Sequence, residues 1–469
     1  MRKVKLVVIG AGTAGLTALT EAKRVTEDVL LINDGPYGTT CARVGCMPSK
    51  ALLAVAHGYH ARRFLGRAGV TGTDQMAVDL PAVMRHVREL RDQFTAGPIR
   101  ASQPGEHSIA GRPRFVDANT LEVGGETIRT EATIIATGTR PVIPQPWQAL
   151  GDRVVSSDTF FELQDPGQRV AVIGLGAIGA ELGQALGQLG VEVHGFNRGE
   201  QVGGLGDPEI SAALAEGLAE HMQLHLGAEV ELEDAGQRVR VKAGNTTVEV
   251  DRVLAALGRR PNLEGLGLET LGAALDDRGI PEFDAATLRL GELPVFIAGD
   301  VNNVRPLMHE AADEGRIAAY NALHPGAECL ARRAPLAIVF TAPNAARVGL
   351  GWRELPADVI IGSADFRKQS RAVMTEENRG RLHVYAEADS GRLLGAEMAV
   401  PEGEHLAHLL AWAIQQKLDL DQLLQMPFYH PVVEEGLRTA LQSARKQLGP
   451  RRESPDLPLC REAIDWALG

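Results

Sequence analysis

The sequence predicts an α/β protein with two domains built on parallel sheets and a third, α+β domain at its C-terminal end. Three observations lead to this prediction. The chain has 469 residues, the length of about three average domains. A strand, a glycine turn and a helix follow one another twice along the chain. After about residue 335 the pattern changes, and no glycine turn of this kind recurs.

The first copy of the pattern lies at the N-terminus. Residues 3–9 (KVKLVVI) are a short apolar run, typical of a strand buried on both faces of a parallel sheet. The run leads into Gly10, Gly12 and Gly15, and a helical stretch follows. Because these glycines interrupt the apolar segment, we interpret it as a strand and turn rather than a signal peptide, and we expect a cytoplasmic protein.

The second copy begins at residue 169. Residues 169–173 (RVAVI) precede Gly174, Gly176 and Gly179, and residues 180–189 have helical periodicity. The remaining strands of the parallel sheets are predicted by short apolar runs at residues 29–32, 133–136, 191–195 and 295–298. The proline-rich residues 141–147 predict a crossing between domains.

Both glycine turns have the spacing GxGxxG. The first glycine permits a tight turn, the second lets backbone N–H groups approach a pyrophosphate, and the third lets the helix pack closely on the strand. The N-terminus of the following helix adds unpaired N–H donors for the phosphate charge. The two copies therefore predict two Rossmann-like, dinucleotide-binding domains.

An asparagine replaces the acidic residue that is expected about 20 residues after each turn. Asn33 and Asn197 stand at these positions, and Arg198 follows the second one. An asparagine oxygen can accept a hydrogen bond from a ribose hydroxyl but does not repel a 2′-phosphate. The second site is therefore open to NAD or NADP, unless Arg198 is only a solvated loop charge.

The C-terminal region has the pattern of an α+β domain. Leu336, Ile338 and Phe340 alternate as in a half-buried strand, and residues 359–361 form another apolar run. Residues 404–416 and 434–447 have helical periodicity. Residues 451–455 predict a linker to a short tail.

The bulk composition excludes several classes of partner. The formal net charge of −12 argues against binding to nucleic acid or to acidic membrane surfaces. The sequence lacks any uncharged apolar run of 18 residues, so we predict no membrane span. Four cysteines in 469 residues do not make a secreted disulfide scaffold.

Two of the cysteines, Cys41 and Cys46, are five positions apart in the segment GTTCARVGCMPSK. On a regular helix this spacing would turn the side chains about 140° apart and separate them by about 7.5 Å along the axis. A disulfide between them therefore requires a break in the helix, which Gly45 permits. Pro48 suits the first turn of the helix that follows.

Three interpretations of this pair compete. A metal site would need further cysteine or histidine ligands at zinc spacing, and the neighbouring sequence has none, so we predict no metal. Two inert thiols are a second interpretation. A redox disulfide is the third, and the setting between two dinucleotide-binding units favours it.

With these motifs, the sequence resembles class I pyridine nucleotide–disulfide oxidoreductases, the family that includes dihydrolipoyl dehydrogenase, glutathione reductase and mercuric reductase. The resemblance extends from residue 3 to about residue 449. It rests on the cysteine segment and on ATG at 136–138, GRRPN at 258–262, FIAGD at 296–300 and the pair His430-Pro431 with a glutamate downstream.

The resemblance implies the cofactors and the residues that bind them. FAD would occupy the first glycine turn and NAD the second, with NADP possible. Lys50 would lie beside the flavin ring, paired with Glu181, and Asp300 would contact the ribityl chain. The complete set of expected cofactor-binding residues is Gly10, Gly12, Gly15, Asn33, Thr40, Lys50, Thr137, Gly138 and Asp300 for FAD, and Gly174, Gly176, Gly179, Glu181, Asn197, Arg198 and Gly258 for the nicotinamide nucleotide.

The resemblance also implies a division of the chain. We expect an FAD-binding domain formed by residues 1–148 and completed by residues 266–334. An NAD(P)-binding domain would lie at 149–265, a dimerisation domain at 335–450 and a tail at 451–469.

The same resemblance assigns the chemistry. Cys41 would exchange with substrate and Cys46 would face the flavin. His430 of the partner subunit would act as the base, and Glu435, five residues later, would orient it rather than Glu434. Val432 and Phe428 depart from the usual motif, in which a threonine and often a second histidine stand there.

The expected activity is oxidation of a small dithiol, foremost dihydrolipoyl groups on a carrier protein, by a homodimer that uses NAD⁺. Two alternatives stay open, an NADPH-dependent disulfide reductase of the glutathione reductase type and a redox-sensing or structural subunit of a multienzyme complex. Mercuric reductase is disfavoured because Cys460 stands alone where that enzyme has a C-terminal cysteine pair.

Overall fold

A computed structural model of the protein describes residues 1–102, 107–324 and 326–449. The expected linker at 451–455, the tail and Cys460 lie outside these ranges.

The described residues form strands and helices in close alternation. The strands are β1 Arg2–Ile9, β2 Val29–Asn33, β3 Ser108–Ala110, β4 Arg114–Asp117, β5 Thr120–Val123, β6 Glu126–Ile135, β7 Thr139–Pro141, β8 Val154–Ser156, β9 Arg169–Ile173, β10 Glu192–Asn197, β11 Gln223–Leu226, β12 Glu231–Ala235, β13 Arg238–Ala243, β14 Thr246–Val250, β15 Arg252–Ala255, β16 Arg259–Pro261, β17 Val295–Ile297, β18 Leu336–Val339, β19 Asn344–Gly349, β20 Ile360–Asp365, β21 Arg381–Ala386 and β22 Leu393–Val400.

The helices are α1 Thr13–Ala22, α2 Thr40–Val44, α3 Cys46–His60, α4 Arg62–Arg67, α5 Leu80–Ser102, α6 Gln145–Gln148, α7 Ser157–Phe160, α8 Ala177–Gln188, α9 Pro208–Ala219, α10 Met308–Leu323, α11 Ser370–Met374, α12 Gly403–Gln415, α13 Leu420–Leu424 and α14 Glu434–Arg445. Within the described ranges, no helix is both long and apolar enough to cross a membrane.

The first of two compact units combines residues 1–52, 79–166 and 257–332. Its main sheet has the order β3-β2-β1-β6-β5-β4, and β17 pairs with β6. Strands β2, β1, β6 and β17 run parallel, whereas β4 and β5 form an antiparallel extension. Residues 6–9 of β1, residues 132–135 of β6 and all of β2 and β17 are buried, because helices and loops cover both faces of this part of the sheet.

Alternate residues of β1 belong to the cores on opposite faces of this sheet. Leu6 and Val8 pack with residues of α1 and α10, while Val7 and Ile9 pack on the other side. Helices α1 and α10 touch closely, since a Cβ atom on Gly315 would lie 2.3 Å from the carbonyl oxygen of Ala14. The carboxyl ends of β1, β6 and β17 therefore meet at one edge of the sheet.

Within the described residues, the second unit combines residues 53–78, 167–256 and 333–449. Its first sheet is parallel with the order β11-β10-β9-β15, and β12, β13 and β14 form a separate antiparallel sheet. The C-terminal part is a five-stranded antiparallel sheet with the order β18-β19-β22-β21-β20. Residues of α12, α13 and α14 share a hydrophobic core with this sheet.

The predicted α/β fold class is confirmed. The five predicted parallel strands that follow β1 appear as β2, β6, β9, β10 and β17, and the two predicted C-terminal helices appear as α12 and α14. The expected domain limits stay predictions, and the compact units group the second glycine turn with the C-terminal region.

Candidate active site

The first glycine turn joins β1 to α1. The N–H of Gly10, whose φ is +106°, donates to the carbonyl of Ile32 at 2.7 Å. A Cβ atom on Gly15 would lie 1.8 Å from the carbonyl oxygen of Gly10, so the third glycine is required for the helix to approach the strand. The N-cap position of α1 is Gly12, which has open space around its Cα and no side-chain cap. The helix N-terminus can therefore present its N–H groups to a phosphate.

The second turn, between β9 and α8, repeats this geometry. Gly174 has a φ of +93° and donates its N–H to Phe196 at 2.8 Å. A Cβ atom on Gly179 would lie 1.9 Å from the carbonyl oxygen of Gly174, while Gly176 again caps the helix with open space around it. Both units thus have, at the carboxyl end of a central parallel strand, a turn with the space and the N–H groups that a phosphate would need.

The two asparagines hold these turns to the neighbouring strand. Asn33 accepts the N–H of Ala11 at 3.1 Å through its Oδ1 atom, and Asn197 accepts the N–H of Leu175 at the same distance. This structural role was not foreseen from the sequence, because the contact is visible only once β1 lies beside β2 and β9 beside β10. A contact of either asparagine with a ribose stays a prediction, as does the role of the exposed Arg198.

The two cysteines lie on either side of a break between helices. Cys41 is in α2 and Cys46 is the first residue of α3. Gly45 between them has φ −121° and ψ −116°, which is not helical. A Cβ atom on Gly45 would lie 3.0 Å from the carbonyl oxygen of Thr40, so the lack of a side chain lets the two helices meet closely. Thr39 caps α2 by accepting the N–H of Ala42.

The break brings the two thiols together. No disulfide joins the two cysteines, and their side chains are within hydrogen-bonding distance of each other. The hydrogen bond to Cys46 and burial raise the pKa of the Cys41 thiol, while the positive charge of Lys50 acts in the opposite direction. Sulfur atoms this close can exchange between a dithiol and a disulfide without a large movement of the backbone.

Asp300 lies at the carboxyl end of β17, near the first glycine turn. Burial raises the pKa of its carboxyl, and the charge of Arg259 opposes that rise. The preceding residue, Gly299, donates its N–H to Glu314 at 2.6 Å, and Glu314 also binds Asn302 and Arg332. Glu314 therefore fixes the turn that carries Asp300. Nothing in the sequence pointed to Glu314, because it lies one helix away from that turn.

The residues around this edge of the sheet fit an FAD molecule. The hydroxyl of Thr137 is buried and has no hydrogen-bond partner among the described residues. Gly138 and Gly258 have φ values of +64° and +95°, and antiparallel pairing of β7 with β16 holds the segments that follow them. The ribityl chain and the pyrophosphate of FAD need hydrogen-bond donors and acceptors. The hydroxyl of Thr137, the carboxylate of Asp300 and the uncapped N-terminus of α1 can supply them.

His430 and Glu435 form a dyad in the second unit. The Nδ1 atom of His430 lies 3.0 Å from Oε1 and 3.1 Å from Oε2 of Glu435. The hydrogen bond with His430 is the main cause that lowers the pKa of Glu435, so the carboxylate is ionised at neutral pH. The His430 side chain is 71% exposed, which leaves its Nε2 atom accessible to a proton donor.

Phe428, which stands near this dyad where the family motif often has a second histidine, has a different role. Phe428 is partly buried against the core of the C-terminal sheet, and the guanidinium of Arg438 lies 5.7 Å from its ring centroid. Phe428 therefore stabilises the segment that leads to His430. Tyr429, between the two, is 80% exposed.

Glu181 is buried in α8, where its Oε1 atom accepts the N–H of Phe340 at 2.9 Å. Its pairing with Lys50 stays a prediction. Among the described residues, no group of three or more His, Cys, Asp or Glu side chains is arranged to hold a metal ion.

Comparisons with known proteins agree with this geometry. The family described as pyridine nucleotide-disulphide oxidoreductase matches residues 4–315, and its dimerisation domain matches residues 336–441. A dihydrolipoyl dehydrogenase of Chlamydia muridarum is 31% identical over 92% of this chain and 94% of its own length. A mercuric reductase of Staphylococcus aureus is 30% identical over 93% of this chain and 81% of its own length.

Solved structures are similar over nearly the whole chain. LpdA from Mycobacterium tuberculosis has a TM-score of 0.80 and 27% identity, over 94% of this chain and 99% of its own. The HOCl-induced flavoprotein disulfide reductase RclA from Escherichia coli shares the fold, with a TM-score of 0.80 and 24% identity over 93% of this chain and 99% of its own. The chain therefore belongs to the pyridine nucleotide–disulphide oxidoreductase family and is an enzyme that depends on FAD and a nicotinamide nucleotide.

Proposed function

We propose that the protein is a homodimeric dihydrolipoyl dehydrogenase that oxidises dihydrolipoyl groups with NAD⁺. The observation that carries this proposal is the dithiol of Cys41 and Cys46 at the break between α2 and α3. A second observation supports it, because the His430–Glu435 dyad supplies a base whose orientation is fixed. Relatives named dihydrolipoyl dehydrogenase at about 30% identity support the substrate class.

In the proposed reaction, the oxidised protein has a disulfide between Cys41 and Cys46. The imidazole of His430 takes a proton from one substrate thiol, and the resulting thiolate attacks the Cys41 sulfur, breaking the bond to Cys46. The second substrate thiol then displaces Cys41, so that the substrate leaves as a disulfide. The substrate loses two electrons and two protons. The Cys41–Cys46 pair gains the electrons, one proton stays on His430, and the proton of the second substrate thiol passes to the departing Cys41 thiolate.

The protein also prepares the second half of the reaction. FAD, when bound, accepts the electron pair from the dithiol and passes it to NAD⁺. The first glycine turn, Thr137 and Asp300 would hold this cofactor, and Gly174, Gly176 and Gly179 would hold the nicotinamide nucleotide. Lys50 contributes positive charge next to the cysteines, which favours the thiolate form.

In this scheme, the base at each cysteine pair comes from the other subunit of a dimer. The match to the family's dimerisation domain supports a homodimer. We propose that His430 acts on the cysteine pair of the other subunit and that the enzyme is cytoplasmic. A chain with only four cysteines suits a reducing compartment, where a disulfide is transient and catalytic.

A second candidate is an NADPH-dependent disulfide reductase, in which the same residues would transfer electrons in the opposite direction, from NADPH to a disulfide substrate. Arg198 favours it, because an exposed guanidinium at the end of β10 can pair with a 2′-phosphate where many NAD enzymes have a carboxylate. The dihydrolipoyl reaction is preferred because it accounts for the dyad and for the named relatives together.

Steady-state kinetics on the FAD-loaded enzyme distinguish the two candidates. Dihydrolipoamide and glutathione disulfide are each assayed with both nicotinamide nucleotides. We expect the highest kcat/KM for dihydrolipoamide with NAD⁺. A higher value for glutathione disulfide with NADPH would replace the proposal by the second candidate.

Single cysteine variants test the chemistry and the alternative of a structural subunit. Anaerobic reduction of the wild-type enzyme by a dithiol should produce a long-wavelength absorption band from a thiolate beside the flavin. Cys41→Ser should retain such a band without any reductant, whereas Cys46→Ser should lack it in every state. A wild-type protein that binds FAD but shows no band and no turnover would overturn the proposal in favour of a structural role.

A further inference from the structure

The loop between β10 and α9, residues 198–207, begins directly after Asn197 and carries Arg198. It contains four glycines, at positions 199, 203, 204 and 206. Glycine-rich backbone loses more conformational freedom on ordering than other sequences do. The shape of this loop therefore depends on contacts that hold it from outside.

Asp207 ends the loop and is almost completely buried. Its Oδ1 atom accepts the N–H groups of Glu209 and Ile210 and so caps α9. Its Oδ2 atom accepts two other hydrogen bonds, from His383 Nδ1 at 2.7 Å and from the Tyr385 hydroxyl at 2.8 Å. A helix cap needs only the first oxygen, so the second oxygen ties the loop to strand β21.

Glu397 holds the same end of the loop from the next strand. Its Oε2 atom accepts the N–H groups of Gly206 and Asp207, both at 2.8 Å, and its side chain is completely buried. His383 and Glu397 are directly paired across β21 and β22, and Tyr385 lies two residues along on the same face. A Cβ atom on Gly206 would lie 3.1 Å from Glu397, so the glycine permits this contact.

We propose that His383, Tyr385 and Glu397 of the C-terminal sheet are positioning residues for the nicotinamide nucleotide. They hold the end of the β10–α9 loop next to α9. The side chain of Gln201 donates to the carbonyl of Gly206, and the side chain of Asn197 donates to the carbonyl of Gln201, so this end is connected to the segment that presents Asn197 and Arg198. Without them, the loop would become ordered only when the nucleotide binds. The free energy needed to order the loop would then weaken the affinity for the nucleotide. This inference rests on the proposed function only in placing the nucleotide at the second glycine turn.

The test measures nucleotide affinity separately from disulfide chemistry. The FAD-loaded, oxidised enzyme is titrated with NAD⁺ by calorimetry as wild type, Tyr385→Phe, His383→Ala and the double variant. We expect the double variant to raise the Kd of NAD⁺ about tenfold, equal to ~1.4 kcal/mol. The rate at which dihydrolipoamide reduces the bound flavin, followed by rapid mixing, should stay within about twofold of wild type because neither residue belongs to the cysteine site. His383→Asn retains a donor near the Nδ1 position and should restore most of the affinity.

Val384→Ala is the matched control. Val384 lies between the two residues on the same strand, but it faces the hydrophobic core of the C-terminal domain. This variant should lower the melting temperature and leave the Kd of NAD⁺ unchanged. An equal rise of the Kd in Val384→Ala would overturn the proposal, and so would an unchanged Kd in the double variant. If dihydrolipoamide fails to reduce the wild-type flavin while the double variant still weakens NAD⁺ binding, the proposed function fails and this inference stands.

Discussion

His430 has two carboxylates nearby in sequence, and only one of them reaches it. Glu435 lies within 3.1 Å of Nδ1 through both of its oxygens. Glu434 precedes it in the first turn of α14. The difference follows from helix geometry, since adjacent residues point about 100° apart. The two glutamates therefore provide a variant and its control at neighbouring positions.

Glu435→Gln should lower kcat/KM for dihydrolipoamide about a hundredfold, the usual contribution of a positioned general base. The amide cannot stabilise the imidazolium that forms when the base takes a proton. Stopped-flow reduction of the flavin by the dithiol checks this, and Glu434→Gln should react within about twofold of wild type. Equal losses in both variants would show that the negative charge near His430 matters and its geometry does not.

Arg198→Glu tests which nucleotide the second site prefers. A carboxylate there should repel a 2′-phosphate and raise KM for NADPH about tenfold, whereas KM for NADH should change little. Arg198→Lys keeps the positive charge and serves as the control. If KM for NADPH does not respond, Arg198 is a solvated loop charge without contact to the nucleotide.

The sequence allowed some of these side chains to be predicted and not others. Glycine turns and the cysteine pair are local patterns, so their positions could be read from spacing. Glu314 and the Oδ2 atom of Asp207 bind residues in other elements, and no local pattern predicts those contacts. Asn33 and Asn197 were expected to face a ribose, but the structure shows an additional role as ties between strand and turn.

Each glycine turn must allow both close helix packing and the approach of a ligand. Substitutions at different glycines can test these two requirements separately. Gly179 has no space for a side chain, because a Cβ atom would lie 1.9 Å from the carbonyl of Gly174. Gly176 has open space around it within the protein. The first requirement concerns the packing of α8 on β9, and the second concerns the approach of the ligand.

Gly179→Ala should therefore destabilise the protein by about 1–3 kcal/mol or prevent folding, as overpacking does. Gly176→Ala should melt close to the wild-type temperature yet bind NAD⁺ about tenfold more weakly, because the methyl group occupies the space that a pyrophosphate needs. Thermal melting and NAD⁺ titration check the pair. The flavin content of Gly176→Ala should equal that of wild type, and a loss of flavin would contradict the assignment of this turn to the nicotinamide nucleotide.

Most strands with clear periodicity were predicted, but the antiparallel sheet of β12, β13 and β14 was not. Val239, Val241 and Ala243 alternate with charged residues in β13, whereas β12 and β14 are mostly polar and half exposed. Helix α2 has five residues, too few for a periodic signal, yet it carries Cys41. The break at Gly45 was expected on the condition that the two cysteines form a disulfide, since a regular helix would keep the two sulfurs apart.

Two half-buried histidines contribute to the stability of the second unit. His60 at the end of α3 and His221 after α9 meet edge to face, with ring centroids 4.6 Å apart. Burial is the main cause that lowers the pKa of each to about 4, and the charges of Arg63 and Arg379 add to the effect. Both rings are therefore neutral at pH 7.

This pair should make the protein less stable in mild acid. The unfolded chain has an ordinary imidazole pKa of about 6.5 and binds protons first as the pH falls. The stabilisation is thus complete above pH 6.5 and is lost as the pH falls towards 4. Between pH 7 and pH 4.5, we expect the free energy of unfolding of the double variant His60→Gln, His221→Gln to fall by about 1 kcal/mol less than that of wild type. This figure is reduced for solvent screening, because the rings are half exposed. Denaturant unfolding at the two pH values checks this, with the exposed His408→Gln as the control.

The first compact unit is assembled from three separated stretches of chain, which end at residues 52, 166 and 332. During synthesis on the ribosome, β1 emerges long before β17, so this sheet stays incomplete until the chain has been made beyond residue 297. A chain cut after the first 148 residues would lack β17 and Asp300 and should fail to retain flavin. Flavin binding therefore has to wait for a segment that is made much later than the first glycine turn.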